Sequence, residues 1–151
     1  MRKILMIFIG VIISIAAVAQ DLKEVDGIYI DHSEPYTGTY TTYFADGQVN
    51  MQMKLKDGKK HGRIKIFFDN GRLKEIRSYK NNQMHGKWLV YNDNGVKISV
   101  AHYRNGKKDG TWKIRDDAGS LLYVLHYKDG EKCGTWKRYD KSGKFIDKRK
   151  Y

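Results

Sequence analysis

Histidines, a lone cysteine and paired carboxylates are the residues of this chain whose types invite chemistry. His61 and His85 stand 24 residues apart, as do His102 and His126, with His32 ahead of them and Cys133 as the one thiol. Imidazoles at equal intervals raise zinc chelation, a Cys-His neighbourhood raises an activated nucleophile, and Asp116-Asp117 raises acid-base work. Which of these is physically available depends on what the 24-residue interval is made of.

The interval runs through the chain from Gly38 to Tyr151. Gly38, Gly62, Gly86, Gly110 and Gly134 keep it without a slip, and Gly47, Gly71, Gly95, Gly119 and Gly143 keep it again. Each unit carries two turn signals. The first falls at Asp46-Gly47, Asn70-Gly71, Asn94-Gly95, Ala118-Gly119 and Ser142-Gly143, the second at Asp57-Gly58, Asn81-Asn82, Asn105-Gly106 and Asp129-Gly130. Asn, Asp and Gly tolerate the positive φ that two-residue hairpin loops require. Between turns run short stretches rich in Trp, Tyr, Phe, Ile, Val and Thr, the strand formers, and no apolar stripe of helical period interrupts them. The spacing predicts an all-β chain: a repetitive antiparallel meander of stacked hairpins, about ten strands by the strand-and-turn count.

If each turn pair is a two-residue loop, Gly62 faces Tyr79, Gly86 faces Tyr103, Gly110 faces Tyr127 and Gly134 faces Tyr151, with each ring free to cover the bare glycine. Tyr40, Ile64, Trp88, Trp112 and Trp136 share that face, which is expected to be the main buried one. The other face carries Tyr43, Phe67, Tyr91 and Tyr139 among Ile76, Ile98, Val100, Leu122, Val124 and Ile146, interspersed with Arg63, Lys65, Lys87, Lys113 and Lys137. Sheet curvature could half-bury this mixture, or a partner could dock on it.

The same geometry disposes of the chemical readings. Residues of one column in successive units stand two strand spacings apart, about 9–10 Å, whereas two zinc ligands lie within about 4 Å of each other. No metal or cofactor is therefore expected. The register sets His102 opposite Asp109 and His126 opposite Cys133, close enough for a hydrogen bond, but equivalent places hold Lys54 opposite His61 and Ser78 opposite His85. A position that accepts unrelated side chains, without an oxyanion hole or a concave site, is a surface pair and not a catalytic one. Asp116-Asp117 belongs to a turn column also filled by Asn92-Asp93 and Asp140-Lys141. No catalytic residue is assigned, and the chain is not expected to be an enzyme.

The stretches YKNNQMHGKWLVYNDNG and YRNGKKDGTWKIRDDAG, with the lead-in Pro35-Tyr36-Thr37-Gly38, resemble the MORN repeat in its bacterial variant. The resemblance covers five units, 38–61, 62–85, 86–109, 110–133 and the shortened 134–151. It implies a repetitive β-sheet used as a scaffold or binding surface, and one group of similar bacterial sequences is labelled as antitoxin components of toxin–antitoxin pairs. Asn82, Asp109 and Cys133 depart from the pattern, where Gly, His and His are expected.

Met1-Arg2-Lys3, the apolar run Ile4–Val18 and the triplet Ala17-Val18-Ala19 read as a secretory signal peptide over residues 1–19, cleaved after Ala19. The product would reside in the periplasm, in the cell envelope or outside the cell. Residues 20–37 are expected to cap the array.

The chain holds 29 basic and 17 acidic residues; loss of Arg2 and Lys3 leaves 27 against 17, a charge of +10. Lys59, Lys60, Lys107, Lys108 and Lys132 cluster at one set of hairpin tips as a candidate basic rim. Together with Tyr43, Phe67, Tyr91 and Tyr139 they form the candidate interaction surface. The expected function is an exported, non-catalytic binding or scaffold module for a protein partner or the cell envelope. An antitoxin or immunity component is one alternative; a binder of anionic lipid or polysaccharide is another. Nucleic acid is not an expected partner, since export removes it from reach and the tryptophans sit in a packing column. A single cysteine leaves the fold without an internal disulfide.

Overall fold

The computed structural model describes residues 21–151; the leader expected at 1–19 lies outside them. Three short strands, β1 (Lys23–Val25), β2 (Ile28–Asp31) and β3 (Glu34–Pro35), form a small antiparallel sheet. The remaining strands form one long antiparallel sheet: β4 (Gly38–Tyr43), β5 (Val49–Lys56), β6 (Lys59–Phe67), β7 (Leu73–Lys80), β8 (Gln83–Tyr91), β9 (Lys97–Arg104), β10 (Lys107–Lys108), β11 (Gly110–Arg115), β12 (Leu121–Lys128), β13 (Glu131–Lys132), β14 (Thr135–Tyr139) and β15 (Phe145–Lys150). Neighbours in sequence are neighbours in the sheet from β4 to β15, with β10 and β13 as the short leading pieces of interrupted strands.

The two turns of each unit differ in kind. At the second turn both central residues have positive φ, as at Asp57 (50°) and Gly58 (71°) or Asn105 (49°) and Gly106 (81°), the signature of a two-residue hairpin loop. The first turn is not such a loop. Phe68 N donates to Arg72 O at 2.8 Å and Gly71 N to Phe68 O at 3.0 Å, enclosing three residues of which only Gly71 (77°) has positive φ. This type I turn closed by a glycine bulge recurs at Phe44, Asn92, Asp116 and Asp140.

A three-residue loop should displace the register. An extra residue on the returning strand restores it: Leu73 pairs with Phe67 and Glu75 with Ile66, leaving Lys74 unpaired between them. Gly62 thus faces Tyr79, and Gly86 and Gly110 face Tyr103 and Tyr127, as expected, but through two departures that cancel.

A second irregularity lies beyond each two-residue loop. Met53 pairs with Ile64 and Leu55 with Lys60, so Lys54 alone faces His61, Gly62 and Arg63. Ser78 likewise faces residues 85–87. Gly110 sits in the corresponding bulge with φ of 93°, and a Cβ there would lie 3.4 Å from that of His102. Positive φ, more than cover by the opposing tyrosine, is what demands glycine in this column.

The expected main buried face is only half-buried. Buried apolar side chains are confined to Leu22, Met53, Leu55, Ile64 and Ala101 among the described residues. Leu22, Met53, Leu55 and Ile64 form one cluster with Tyr29, Tyr36, Tyr40, Met51, Ile66 and Tyr79 around it. The small sheet β1–β3 lies over this end, held by Tyr29 N to Gly58 O and Gly58 N to Tyr36 O, both 2.8 Å. Asn82 joins it, donating from Nδ2 to Gly27 O (2.8 Å) while its Oδ1 accepts from Lys60 N (2.7 Å). A glycine, which the repeat pattern expects there, could make neither bond.

Beyond the cap the sheet is a single layer, so Trp88, Trp112 and Trp136 have no second layer to enter. They pack on tyrosines instead. Rings follow one another as Tyr79, Trp88, Tyr103, Trp112, Tyr127, Trp136 and Tyr151, with centroids 4.7–6.0 Å apart and planes tilted by 48–58°. Each such contact contributes about 0.5–1.5 kcal/mol beyond area burial. The run therefore stands in for a conventional core.

Candidate docking surfaces

Alternation along the strands sorts the polar side chains into two faces of different character. On the aromatic face, cations lie against rings. Lys108 Nζ is 5.0 Å from the Trp112 centroid and 4.9 Å from that of Tyr127, and Lys132 Nζ is 4.9 Å from both Trp136 and Tyr151. Lys60 Nζ stands 5.6 Å from the Tyr29 ring. Lys108 and Lys132 are thus laid over the aromatic ladder and Lys60 over a ring of the small sheet, while Lys59 and Lys107 are exposed at the tips. Arg77 is paired to Glu75 at 2.7 Å, which raises its already high pKa, and Arg138 to Asp147. Burial, then the neighbouring ring hydroxyls, pushes the Tyr103 and Tyr127 phenols up.

The opposite face is basic. Lys54, Arg63, Lys65, Lys87, Lys113, Lys137, Lys148 and Lys150 project from it, all exposed. None makes an ion pair among the described residues. Two acids of this side, Asp109 and Glu131, stand at the hairpin tips. Asp109 is already engaged: Arg104 Nη2 is 3.2 Å and Lys128 Nζ 3.6 Å from its carboxylate, and Asp129 N donates at 3.4 Å. Partial desolvation works to raise its pKa, but those three partners outweigh it and hold the carboxyl below the usual range.

Tyr43, Phe67, Tyr91 and Tyr139 lie on the basic face next to the first turns, opposite Val49, Leu73, Lys97 and Phe145. Tyr43 and Phe145 are exposed, and Tyr139 meets Phe145 edge-on at 6.0 Å. The fourth unit breaks this column with Arg115. Its Nη1 is buried without a hydrogen-bond partner, a condition that no other side-chain nitrogen or oxygen shares among the described residues. Arg115 lines an open depression with Lys87, Lys97, Val100, His102, Thr111 and Lys113.

The histidine columns do not converge. His61 Nδ1 meets Asn81 Oδ1 at 3.1 Å, His102 Nδ1 donates to Thr111 O at 2.7 Å, and His126 Nδ1 meets Thr111 Oγ1 at 3.1 Å. Cys133 N donates to His126 O at 3.0 Å, which places the two residues opposite each other, with the free thiol part-buried. Among the described residues no three His, Cys, Asp or Glu side chains gather where an ion could sit. Asp116 serves its turn, with Oδ1 accepting from Ala118 N and Ser120 N. Sequence reasoning missed Arg115 as a special position, although its place in a Tyr/Phe column was the available signal.

A single-layer antiparallel sheet of hairpin repeats that presents two broad faces defines a repeat protein, an architecture that generally serves as a binding or scaffold surface. The family model described as the MORN repeat variant matches residues 36–57, 60–81, 84–105 and 108–129, more than half of the chain, and the protein belongs to that family. The hairpin β14–β15 continues the sheet beyond the last matched repeat. No curated protein matches the chain.

Proposed function

We propose that this MORN repeat protein is an exported, non-catalytic docking module that binds an acidic envelope polymer across its basic face. One observation carries the reading: along the strands of one face the exposed cations Lys54, Arg63, Lys65, Lys87, Lys97, Lys113, Lys137, Lys148 and Lys150 make no ion pair among the described residues, and the pairs of that face, Arg104 and Lys128 with Asp109, are confined to the hairpin tips. Cations kept apart from acids project a field that attracts and aligns an extended anion, whereas mixed charges would cancel. The basic start and apolar run of residues 1–18 support export, and envelope polymers are what an exported basic surface meets.

The test is retention of residues 20–151 on immobilised polygalacturonate, with uncharged dextran as the control. Retention should fall steeply with salt. It should be lost in the triple variant Lys54→Glu, Arg63→Glu, Lys65→Glu with melting unchanged. Equal retention of that variant would overturn the reading. So would recovery from native envelopes of one stoichiometric protein in place of polymer; that is the outcome an antitoxin or immunity component would give.

A further inference from the structure

The geometry points to a discrete site on the basic face, centred on Arg115, that takes a tetrahedral oxyanion, phosphate or sulfate, free or as the ester group of a larger ligand. The site rests on the reading of that face as an anion-docking surface and gives it a specific point of recognition.

Arg115 stands at the end of β11, opposite Leu121, where the units before and after hold Tyr91 and Tyr139. Replacing an aromatic ring by a guanidinium brings five N–H donors into a place built for an apolar side chain. One terminal nitrogen, Nη1, is buried and makes no hydrogen bond. A buried, unpaired guanidinium charge is costly, and since Nη1 is itself closed to solvent, an anion in the adjoining depression would offset that cost through its charge and the remaining guanidinium donors.

The surroundings supply the rest of an oxyanion cradle. The depression that Arg115 lines, about 390 Å³, also takes Lys87 from β8, Lys97 from β9 and Lys113 from β11. Four cations thus share one concavity with no carboxylate in its wall. Such a wall disfavours cations and rewards compact multiple charge. The volume falls within the range of small-ligand sites, about 300–1,000 Å³.

A planar guanidinium binds a tetrahedral oxyanion through two parallel N–H···O bonds, and the lysines add point charges around it. Thr111 and His102 complete the wall. His102 Nδ1 is committed as a donor to Thr111 O at 2.7 Å, which fixes the ring and leaves Nε2 as its free polar atom. Val100 provides one apolar contact, the kind a sugar or short alkyl carrier would use. The comparable depression at the capped end, lined by Thr39, Gln52, Lys54, Gly62, Arg63 and Lys65, has no orphaned donor and is expected to bind distributed charge only.

The experiment titrates residues 20–151 with inorganic phosphate, sulfate and glucose 6-phosphate at constant ionic strength, following side-chain Nε–H and backbone amide resonances. Saturable binding is expected, with the Arg115 Nε–H and the Thr111 amide shifting and chloride giving no such response. Glucose 6-phosphate binding more tightly than phosphate would assign the carrier to a glycan ester, and equal affinity to the free anion; glucose alone should not bind. Arg115→Tyr restores the residue type of the neighbouring units and should fold. It should weaken phosphate binding at least tenfold, and Lys87→Gln and Lys113→Gln should each weaken it severalfold.

The Lys54, Arg63, Lys65 triple variant should titrate with phosphate like the wild type. Unsaturable shifts spread over all surface lysines, or an Arg115→Tyr protein that binds as well as the parent, would overturn the site. Polygalacturonate retention that persists beside such a result would leave the polymer reading standing. Loss of retention with intact phosphate binding at Arg115 would do the reverse.

Discussion

The indole of Trp112 donates from Nε1 to the backbone carbonyl of His102 at 3.0 Å, and that same oxygen accepts from Asp109 N at 3.0 Å. His102 is the single residue that faces the bulge around Gly110. Trp136 repeats the arrangement on His126 O at 2.9 Å, beside Cys133 N at 3.0 Å. The tryptophan column therefore does two things: its rings carry the ladder, and its N–H groups bind the carbonyls where the strands are interrupted. A ladder interrupted at each unit would otherwise be its weakest point, since bulges leave backbone groups without regular partners.

Trp112→Phe keeps a ring in the ladder and removes this donor together with part of the indole's contact area. The expected loss is at least about 1 kcal/mol, the net worth of one hydrogen bond, read as a lowered midpoint in urea with an unchanged slope. Hydrogen exchange at Asp109 and Gly110 should quicken in the same variant. A loss confined to Trp112 fluorescence, with exchange at the bulge unaltered, would show that the indole N–H is idle.

Stability should be unequal along the array. Met53 is 1% exposed beneath the cap, while every residue of β15 is exposed, including Phe145 and Ile146. Met53→Ala should lower stability by about 2–5 kcal/mol, as for a buried methionine elsewhere. Ile146→Ala should change it by less than about 0.5 kcal/mol, as for a surface site. Amide exchange should be slowest in β5–β7 and fastest in β15; uniform protection from end to end would contradict a core confined to one end.

Asp109 gives a pH signature with a definite sign. Its folded pKa is depressed, so it contributes stability above the unfolded carboxylate value, about 3.9. That contribution is lost as pH falls through the folded pKa. The stability difference between the wild type and Asp109→Asn should be present at neutral pH and shrink on acidification below about pH 4. Urea midpoints of the two proteins that stay equally far apart from neutral pH to about pH 2 would exclude the ion pairs with Arg104 and Lys128 as its source.

Strand order, the presence of two turns per unit and the tyrosine partners of Gly62, Gly86 and Gly110 followed from the sequence alone. Turn chemistry and period-two alternation act locally, and identical units leave one consistent way to stack. The first turn shows the limit of that reasoning. Asn70-Gly71 fits a two-residue loop or a three-residue loop with a glycine bulge, and the compensating bulge at Lys74 hides the choice from any register argument. Likewise Gly62, Gly86 and Gly110 were legible as glycines facing tyrosines, but not as left-handed bulge residues.

What only the tertiary structure decided is how much each face buries and which charges are spent. Trp88, Trp112 and Trp136 look like core residues in a list of letters, yet a single-layer sheet leaves them only part-buried because nothing is laid over them past the cap. Lys60, Lys108 and Lys132 look like members of a solvated rim, yet their ammonium groups lie over aromatic rings at 4.9–5.6 Å from the centroids. Arg115 looks like one more cation among 29. The burial of its unpaired nitrogen exists only in the folded sheet, because burial is set by neighbours brought together by folding and has no signature in the residue itself.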